Sequence, residues 1–215
     1  MPTITRLTAQ KKGKRYNIYI DDQYAFSVDE DILVKFNLRK GLELDSDMIK
    51  QITAEDDLQK LYHRVLHFLS YRMRTEREIY DYLTKYDALP EQVTKIMERL
   101  KKERLVDDEE FAKLFVQSRL RTSLKGPKLI QQELRDRGIA DSYTQEALKL
   151  YDVQTQFEKA QTLLVKKGRK SDKRSYLKQL ESLKMTLKRY GFSDDVIHHV
   201  ILEIKPQIDD LVEWQ

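Results

Sequence analysis

His63 and His67 stand four residues apart, a spacing that places two imidazoles on one helix face and can begin a metal site. No H-E-x-x-H pattern accompanies them, and Leu66 between them belongs to an apolar stripe, so an ordinary surface or half-buried pair is the stronger reading. His198 and His199 are adjacent and would point about 100° apart on a helix, which serves a metal poorly. The run Asp107-Asp108-Glu109-Glu110 could form an acidic contact surface, but it lies where a helix should start and its carboxylates favour the positive end of one. Neither G-x-x-x-x-G-K-[ST] nor G-x-G-x-x-G occurs, and nothing supplies a nucleophile together with its base. The chain has no cysteine, which excludes thiol and disulfide chemistry. No catalytic, cofactor-binding or metal-binding residue is therefore expected, no cofactor, and no small-molecule substrate.

The basic residues make a stronger case. The net charge of +4 balances 40 Lys and Arg against 36 Asp and Glu, but the distribution is uneven. From Lys159 to Gly191 eleven basic residues face only Asp172 and Glu181, and from Phe192 onward six acids face Lys205 alone. Three basic clusters stand beside apparent helix starts: Arg72 and Arg74; then Arg119, Arg121, Lys125 and Lys128; then Lys166, Lys167, Arg169, Lys170, Lys173 and Arg174. If they converge, they form a positive surface for phosphate or for acidic protein; otherwise they are a solvated face. Tyr16, Tyr19 and Tyr24 could stack on bases or build a small core, whereas Tyr80, Tyr82, Tyr143 and Tyr190 sit near apolar helix positions and are expected inside.

The elements that carry these residues change character along the chain. ITRLTAQ, YNIYI and YAFSV alternate with period two and are separated by Lys11-Lys12-Gly13-Lys14 and Asp21-Asp22-Gln23, which predicts a three-stranded antiparallel meander. Asp29 caps a short helix that stops near Gly41, and Asp45 or Ser46 starts another. From about residue 55 apolar positions recur at three and four, as in LQKLYHRVLHFLSY. No apolar run approaches 18 residues, and MPTITRLTAQKKGKRYN lacks the hydrophobic core of a signal peptide, so the expected location is cytoplasmic with no membrane partner.

A repeat emerges from the turns. Leu134 is followed by Gly138-Ile139, Tyr143 and Ala147, and Leu187 by Gly191-Phe192, Val196 and Val200, at matching offsets. Leu83 leads to Ala88-Leu89, Val93 and Met97, which reads as a third copy with one extra residue in the turn. Caps are expected near Leu89–Pro90, Asp141 and Ser193, and a further helix precedes each copy, at residues 57–71, 109–120 and 155–166. Thr75-Glu76-Arg77-Glu78 fits a capping box, and Gly126-Pro127 starts the corresponding helix of the second copy. The expected division is 1–54, the meander with short helices; 55–107, 108–154 and 155–208, three three-helix repeats; and 209–215, an acidic tail.

Four stretches together resemble the RecX family of bacterial regulatory proteins: ITRLTAQKKGKRYNIYIDDQYAFSV, LSYRMRTEREIYDYL, LVDDEEFAKLFVQSRLRTSLKGPKLIQQELRDRGI and KRYGFSDDVI. The resemblance implies a mostly α fold, with three tandem three-helix repeats forming an elongated, curved molecule and a small N-terminal antiparallel β-meander. It implies a non-enzymatic regulator that binds the RecA recombinase filament on single-stranded DNA, with double-stranded DNA as a further target. Such a protein hinders ATP hydrolysis, strand exchange and the filament's help in cleaving the SOS repressor. The competing reading is a stand-alone DNA-binding protein that competes for single-stranded DNA. One departure is the third copy, which between Lys170 and Lys178 has neither Gly-Pro nor Thr-x-x-Glu.

Overall fold

In the computed structural model, residues 2–11, 13–168 and 176–212 are described. The chain divides into two compact units: residues 1–72 with 79–105, and residues 73–78 with everything from 106 onward.

The first unit begins with strands β1 (Ile4–Ala9), β2 (Arg15–Ile20) and β3 (Gln23–Asp29), an antiparallel meander in the order β1-β2-β3. Asp21 and Asp22 both take positive φ between β2 and β3, the twist that a two-residue hairpin needs. Helix α1 (Glu30–Lys35) is capped by the Asp29 carboxylate, which accepts from Asp31 N–H, as expected. Helix α2 (Ser46–Leu69) is capped by Asp45, which accepts from Met48 N–H at 2.7 Å. Ile4, Ile18 and Val28 of the sheet, Ile32 of α1 and Ile52 of α2 share one apolar core with Leu38 and Leu44.

α2 is one helix of 24 residues where the sequence pattern suggests two, and the position 54/55 falls inside it. The polar run Thr53-Ala54-Glu55-Asp56-Asp57 interrupts the apolar stripe without breaking the helix. Asp56, fully inside, accepts from Arg15 at 3.2 and 2.8 Å and from Asp29 N–H at 2.8 Å. It also pairs with Lys60 at 3.0 Å. Helices α3 (Glu76–Lys85) and α4 (Pro90–Lys102) bury Ile79, Leu83, Val93, Ile96 and Leu100.

The second unit holds α5 (Asp108–Thr122), α6 (Pro127–Asp136), α7 (Asp141–Leu148), α8 (Val153–Gly168), α9 (Tyr176–Arg189) and α10 (Asp194–Val212). Phe111, Ala112, Val116, Ile130, Leu134, Ile139, Ala147 and Tyr151 form one core. Ala160, Leu163, Leu164, Leu187, Phe192, Val196, Ile197, Val200 and Ile201 form the next. Helix α10 runs on through residues 209–212, and 213–215 lie outside the described residues.

The repeat register is tighter than the sequence pattern suggests. Ala88, Ile139 and Phe192 each donate a backbone N–H to the carbonyl five residues earlier, on Leu83, Leu134 and Leu187. The residue before each takes positive φ: Asp87 at 56°, Gly138 at 80° and Gly191 at 85°. The following helices then begin in step at Pro90, Asp141 and Asp194. No extra residue enters the first turn; Ile96, rather than Met97, matches Ala147 and Val200. The cap before α7 is Ala140, with Asp141 as its first helical residue, while Ser193 caps α10 through Val196 N–H at 3.4 Å. Tyr80 and Tyr143 are exposed rather than inside, whereas Tyr82 and Tyr190 are half-buried.

Candidate functional site

The end of α5 and the start of α6 bring together the central basic cluster. Arg119 Nε donates to Glu133 Oε2 at 2.7 Å, and Lys125 Nζ pairs with the other oxygen of the same carboxylate. The Arg119 guanidinium also lies 4.5 Å over the Phe115 ring, with Arg137 at 4.9 Å from that ring. Burial alone would raise the Glu133 pKa, but the hydrogen bonds from Lys125 and Arg119 outweigh it and hold the carboxyl ionised below its ordinary range. Two of the expected contact residues are thus tied to one acid inside the repeat, and half of their combined charge is compensated there.

Arg121 and Lys128 differ: both are exposed, and neither has a charged partner among the described residues. Nearby, Lys159 Nζ donates to the carbonyls of Leu120 at 2.6 Å and Ser123 at 2.7 Å, closing the C-terminus of α5, and burial lowers its pKa. Arg72 belongs to the first unit and Arg74 to the second, and each is engaged by a neighbour. Lys166 is exposed on α8. Lys167 lies on α8 too, and Arg169, Lys170, Lys173 and Arg174 lie outside the described residues.

The helix starts that these cations flank are docking joints. Thr75 and Gly126 each stand eight residues before the repeat leucine, Leu83 or Leu134. Thr75 Oγ1, fully buried, donates to the Arg137 carbonyl at 2.9 Å. Gly126 N–H donates to the Tyr190 carbonyl at 2.7 Å, and Lys128 N–H to the Gly191 carbonyl at 3.0 Å. Arg137 and Tyr190 occupy the same position, three residues after their leucines. One joint therefore uses a side-chain hydroxyl and the other a bare backbone, which is why Gly stands at residue 126. A Cβ there would come within 2.6 Å of the Gly191 and Phe192 backbone. The capping box also forms, with Glu78 N–H on Thr75 Oγ1 at 3.2 Å and Thr75 N–H on Glu78 at 3.4 Å.

Nothing among the described residues gathers three metal-capable side chains. His63 contacts Gln59 at 3.1 Å and lies 3.7 Å from Asp29, and His67 meets the Tyr71 hydroxyl at 3.2 Å. Asp107 caps α5 by accepting from Glu110 N–H at 2.9 Å, and Asp108 accepts from Glu76 N–H at 2.9 Å, so the acidic run organises helix starts. Two surface hollows, lined by Thr5, Arg6, Leu7, Asp22 and Lys40 and by Lys95, Glu98, Arg99, Lys102 and Glu103, are open and charged. No helix among the described residues is long and apolar enough to cross a membrane.

Two aromatic groupings complete the surface. On the sheet, Tyr19 carries the Arg6 guanidinium at 4.0 Å and meets exposed Tyr24 edge-on. On the helices of the first unit, Phe68 of α2 stacks on Tyr82 of α3 at 4.1 Å and Arg64 lies 4.8 Å over the ring of Tyr86, just beyond α3, while His67 meets Tyr71, just beyond α2, edge-on at 5.1 Å. Sequence reasoning passes over this second group, although the offsets 64, 67, 68 and 71 are those of one helix stripe.

Comparison with known proteins accounts for this architecture. Three family profiles match in order: "Regulatory protein RecX N-terminal domain" at residues 2–45, "RecX, first three-helix domain" at 62–100 and "RecX, second three-helix domain" at 107–148. A "Regulatory protein RecX" of Oceanobacillus iheyensis is 44% identical, covering 100% of this chain and 81% of the relative. One of Bacillus subtilis is 40% identical over 99% of this chain and 81% of its own length. Among solved structures, a crystal structure of regulatory protein RecX superposes with a TM-score of 0.85 at 37% identity, covering 93% of this chain and 98% of its own. A RecX from Lactobacillus salivarius gives a TM-score of 0.67 at 34% identity, over 70% of this chain and 98% of its own.

Proposed function

The chain belongs to the RecX family, and from that premise we propose that it is a non-enzymatic modulator, chiefly an inhibitor, of the RecA recombinase. It binds the recombinase filament on single-stranded DNA and lowers its ATP hydrolysis, its strand exchange and its coprotease action. The observation that carries this reading is the ordered match to the N-terminal domain and to two successive three-helix domains, with identity of 44% along the whole chain.

Contact runs along the three repeats, 55–107, 108–154 and 155–208. Arg121 and Lys128 are its central cations, because they are exposed and uncompensated. Arg119 and Lys125 hold Glu133 and shape that surface more than they charge it. Arg72, Arg74, Lys166, Lys167, Arg169, Lys170, Lys173 and Arg174 extend it. Several small charge-assisted contacts to neighbouring filament subunits raise avidity without a deep pocket, and holding those subunits together opposes the motions of ATP turnover.

The test is Arg121→Glu with Lys128→Glu. Inhibition of the recombinase ATPase should weaken at least about tenfold, with helicity and melting temperature unchanged, because neither side chain supports the core. Unaltered inhibition at moderate salt would remove this surface from the account. Parallel loss of binding to bare DNA would favour competition for the lattice.

A further inference from the structure

Alternation along β1 decides which of its backbone groups are in use. Gln10 N–H donates to the Arg15 carbonyl at 2.9 Å, so Gln10 and Thr8 turn their peptide groups toward β2, and Leu7 and Ala9 turn theirs away from it. Before the bulge between Ile4 and Arg6 the outward edge is covered. There Ile4 N–H donates to the Leu42 carbonyl at 2.9 Å, and Gly41 N–H to the Ile4 carbonyl at 2.8 Å. A turn closed by Leu42 N–H on the Arg39 carbonyl at 3.1 Å then takes that segment off the edge. Beyond the bulge the N–H and C=O groups of Leu7 and Ala9 stand in ladder spacing with no partner among the described residues.

The surroundings of this free edge are cationic on one face and apolar on the other. An open hollow beside it is lined by Thr5, Arg6, Leu7, Asp22 and Lys40. Arg6, Lys40 and, past the strand end, Lys11 are exposed and have no carboxylate partner among the described residues. Arg6 projects from the outer face, where it lies over Tyr19, while Leu7 and Leu42 lean on the apolar core behind the sheet. Such cations keep the edges of two copies apart, because pairing would set like charges together. They favour a strand of opposite charge for the same reason. An added strand would carry alternate side chains beside Arg6 on one face and beside Leu7 and Leu42 on the other.

We propose that the free edge of β1, from Arg6 to Ala9, takes an extended protein segment in which acidic and apolar residues alternate. The segment joins the sheet beside β1 through the backbone groups of Leu7 and Ala9, its acids meeting Arg6, Lys11 and Lys40. This reading concerns the N-terminal sheet alone and does not rest on filament binding by the repeats.

The probe is a fluorescein-labelled peptide, Glu-Val-Glu-Val-Glu-Val-Glu, titrated into the full chain and followed by anisotropy, with amide hydrogen exchange measured in parallel. The wild type should bind it, with exchange slowed at Leu7 and Ala9 and unchanged at Thr8, which already faces β2. Ala9→Pro removes an outward N–H at an edge position that tolerates proline. It should weaken binding at least about tenfold at an unchanged melting temperature. Arg6→Glu/Lys40→Glu should weaken it comparably, and added salt should weaken binding by the wild type. This pair and the exchange pattern decide the matter if Ala9→Pro fails to fold. Absence of binding by the wild type overturns the proposal, as does wild-type affinity in Ala9→Pro or equal binding of the peptide with lysine in place of glutamate. Binding without slowed exchange at Leu7 and Ala9 overturns it too, since charge attraction alone would then hold the peptide. Recombinase inhibition is read separately by ATPase, so failure here leaves the proposed function standing.

Discussion

Two buried polar side chains report on how individual residues stabilise the fold. Thr144, 1% exposed, occupies the position held by Val93 in the first repeat and Ile197 in the third, and its Oγ1 has no hydrogen-bond partner among the described residues. Thr144→Val keeps the shape and removes an unpaired hydroxyl, so chemical denaturation should show a gain of about 1 kcal/mol; a loss would mean that the hydroxyl is satisfied. Asp56 is the opposite case. Burial would raise its pKa, yet Arg15, the Asp29 N–H and Lys60 together hold it below the ordinary 3.8. A depressed carboxylate stabilises the fold above its unfolded pKa, and the contribution disappears as pH falls through the folded value. Asp56→Asn strands Arg15 and should cost about 3 kcal/mol at neutral pH. Denaturation curves below pH 3.8 should then converge for wild type and variant. An equal gap at all pH values would contradict the ion-pair assignment.

At the scale of elements, the joint between α6 and the Gly191 turn is closed by backbone alone. Gly126→Ala forces a Cβ against the Gly191 and Phe192 backbone at 2.6 Å, where no side chain can yield. The expected cost is about 2–3 kcal/mol, with amide exchange in α9 and α10 rising most. Pro127→Ala touches only the preset φ of the first helical residue and should cost under about 1 kcal/mol. Equal effects of the two would show that the helix start matters more than the docking. The contrast also shows what could be read from the chain alone. The capping box at Thr75 and the start at Gly126-Pro127 are local chemistry, written within four residues. What those starts dock against is 62 or more residues away, and so is invisible to spacing. The unbroken α2 has the same cause, because Asp56 faces Arg15 across 41 residues of sequence. The basic clusters were visible as composition, but their division into compensated Arg119 and Lys125 and open Arg121 and Lys128 depends on Glu133, on the next helix. Arg64, His67 and Phe68 lie in plain helical spacing on α2, but the rings that Arg64 and Phe68 meet, Tyr86 and Tyr82, come from the end of the next helix and the turn after it, which spacing does not show.

For the whole molecule, the proposed role is contact through the charged surface of the repeats. An open, charged surface and several modest contacts suit a partner that is itself a repeating assembly, since each contact can be weak when several form together. The measurement that bears most directly on this is ATP hydrolysis by the cognate RecA on single-stranded DNA in excess, with this protein titrated from far below the recombinase concentration up to equality. The account predicts loss of turnover well below stoichiometry while free DNA remains, and weaker loss with Arg121→Glu/Lys128→Glu. Turnover that holds until the protein saturates the DNA would contradict it, and would make the protein a competitor for the lattice rather than a regulator of the filament.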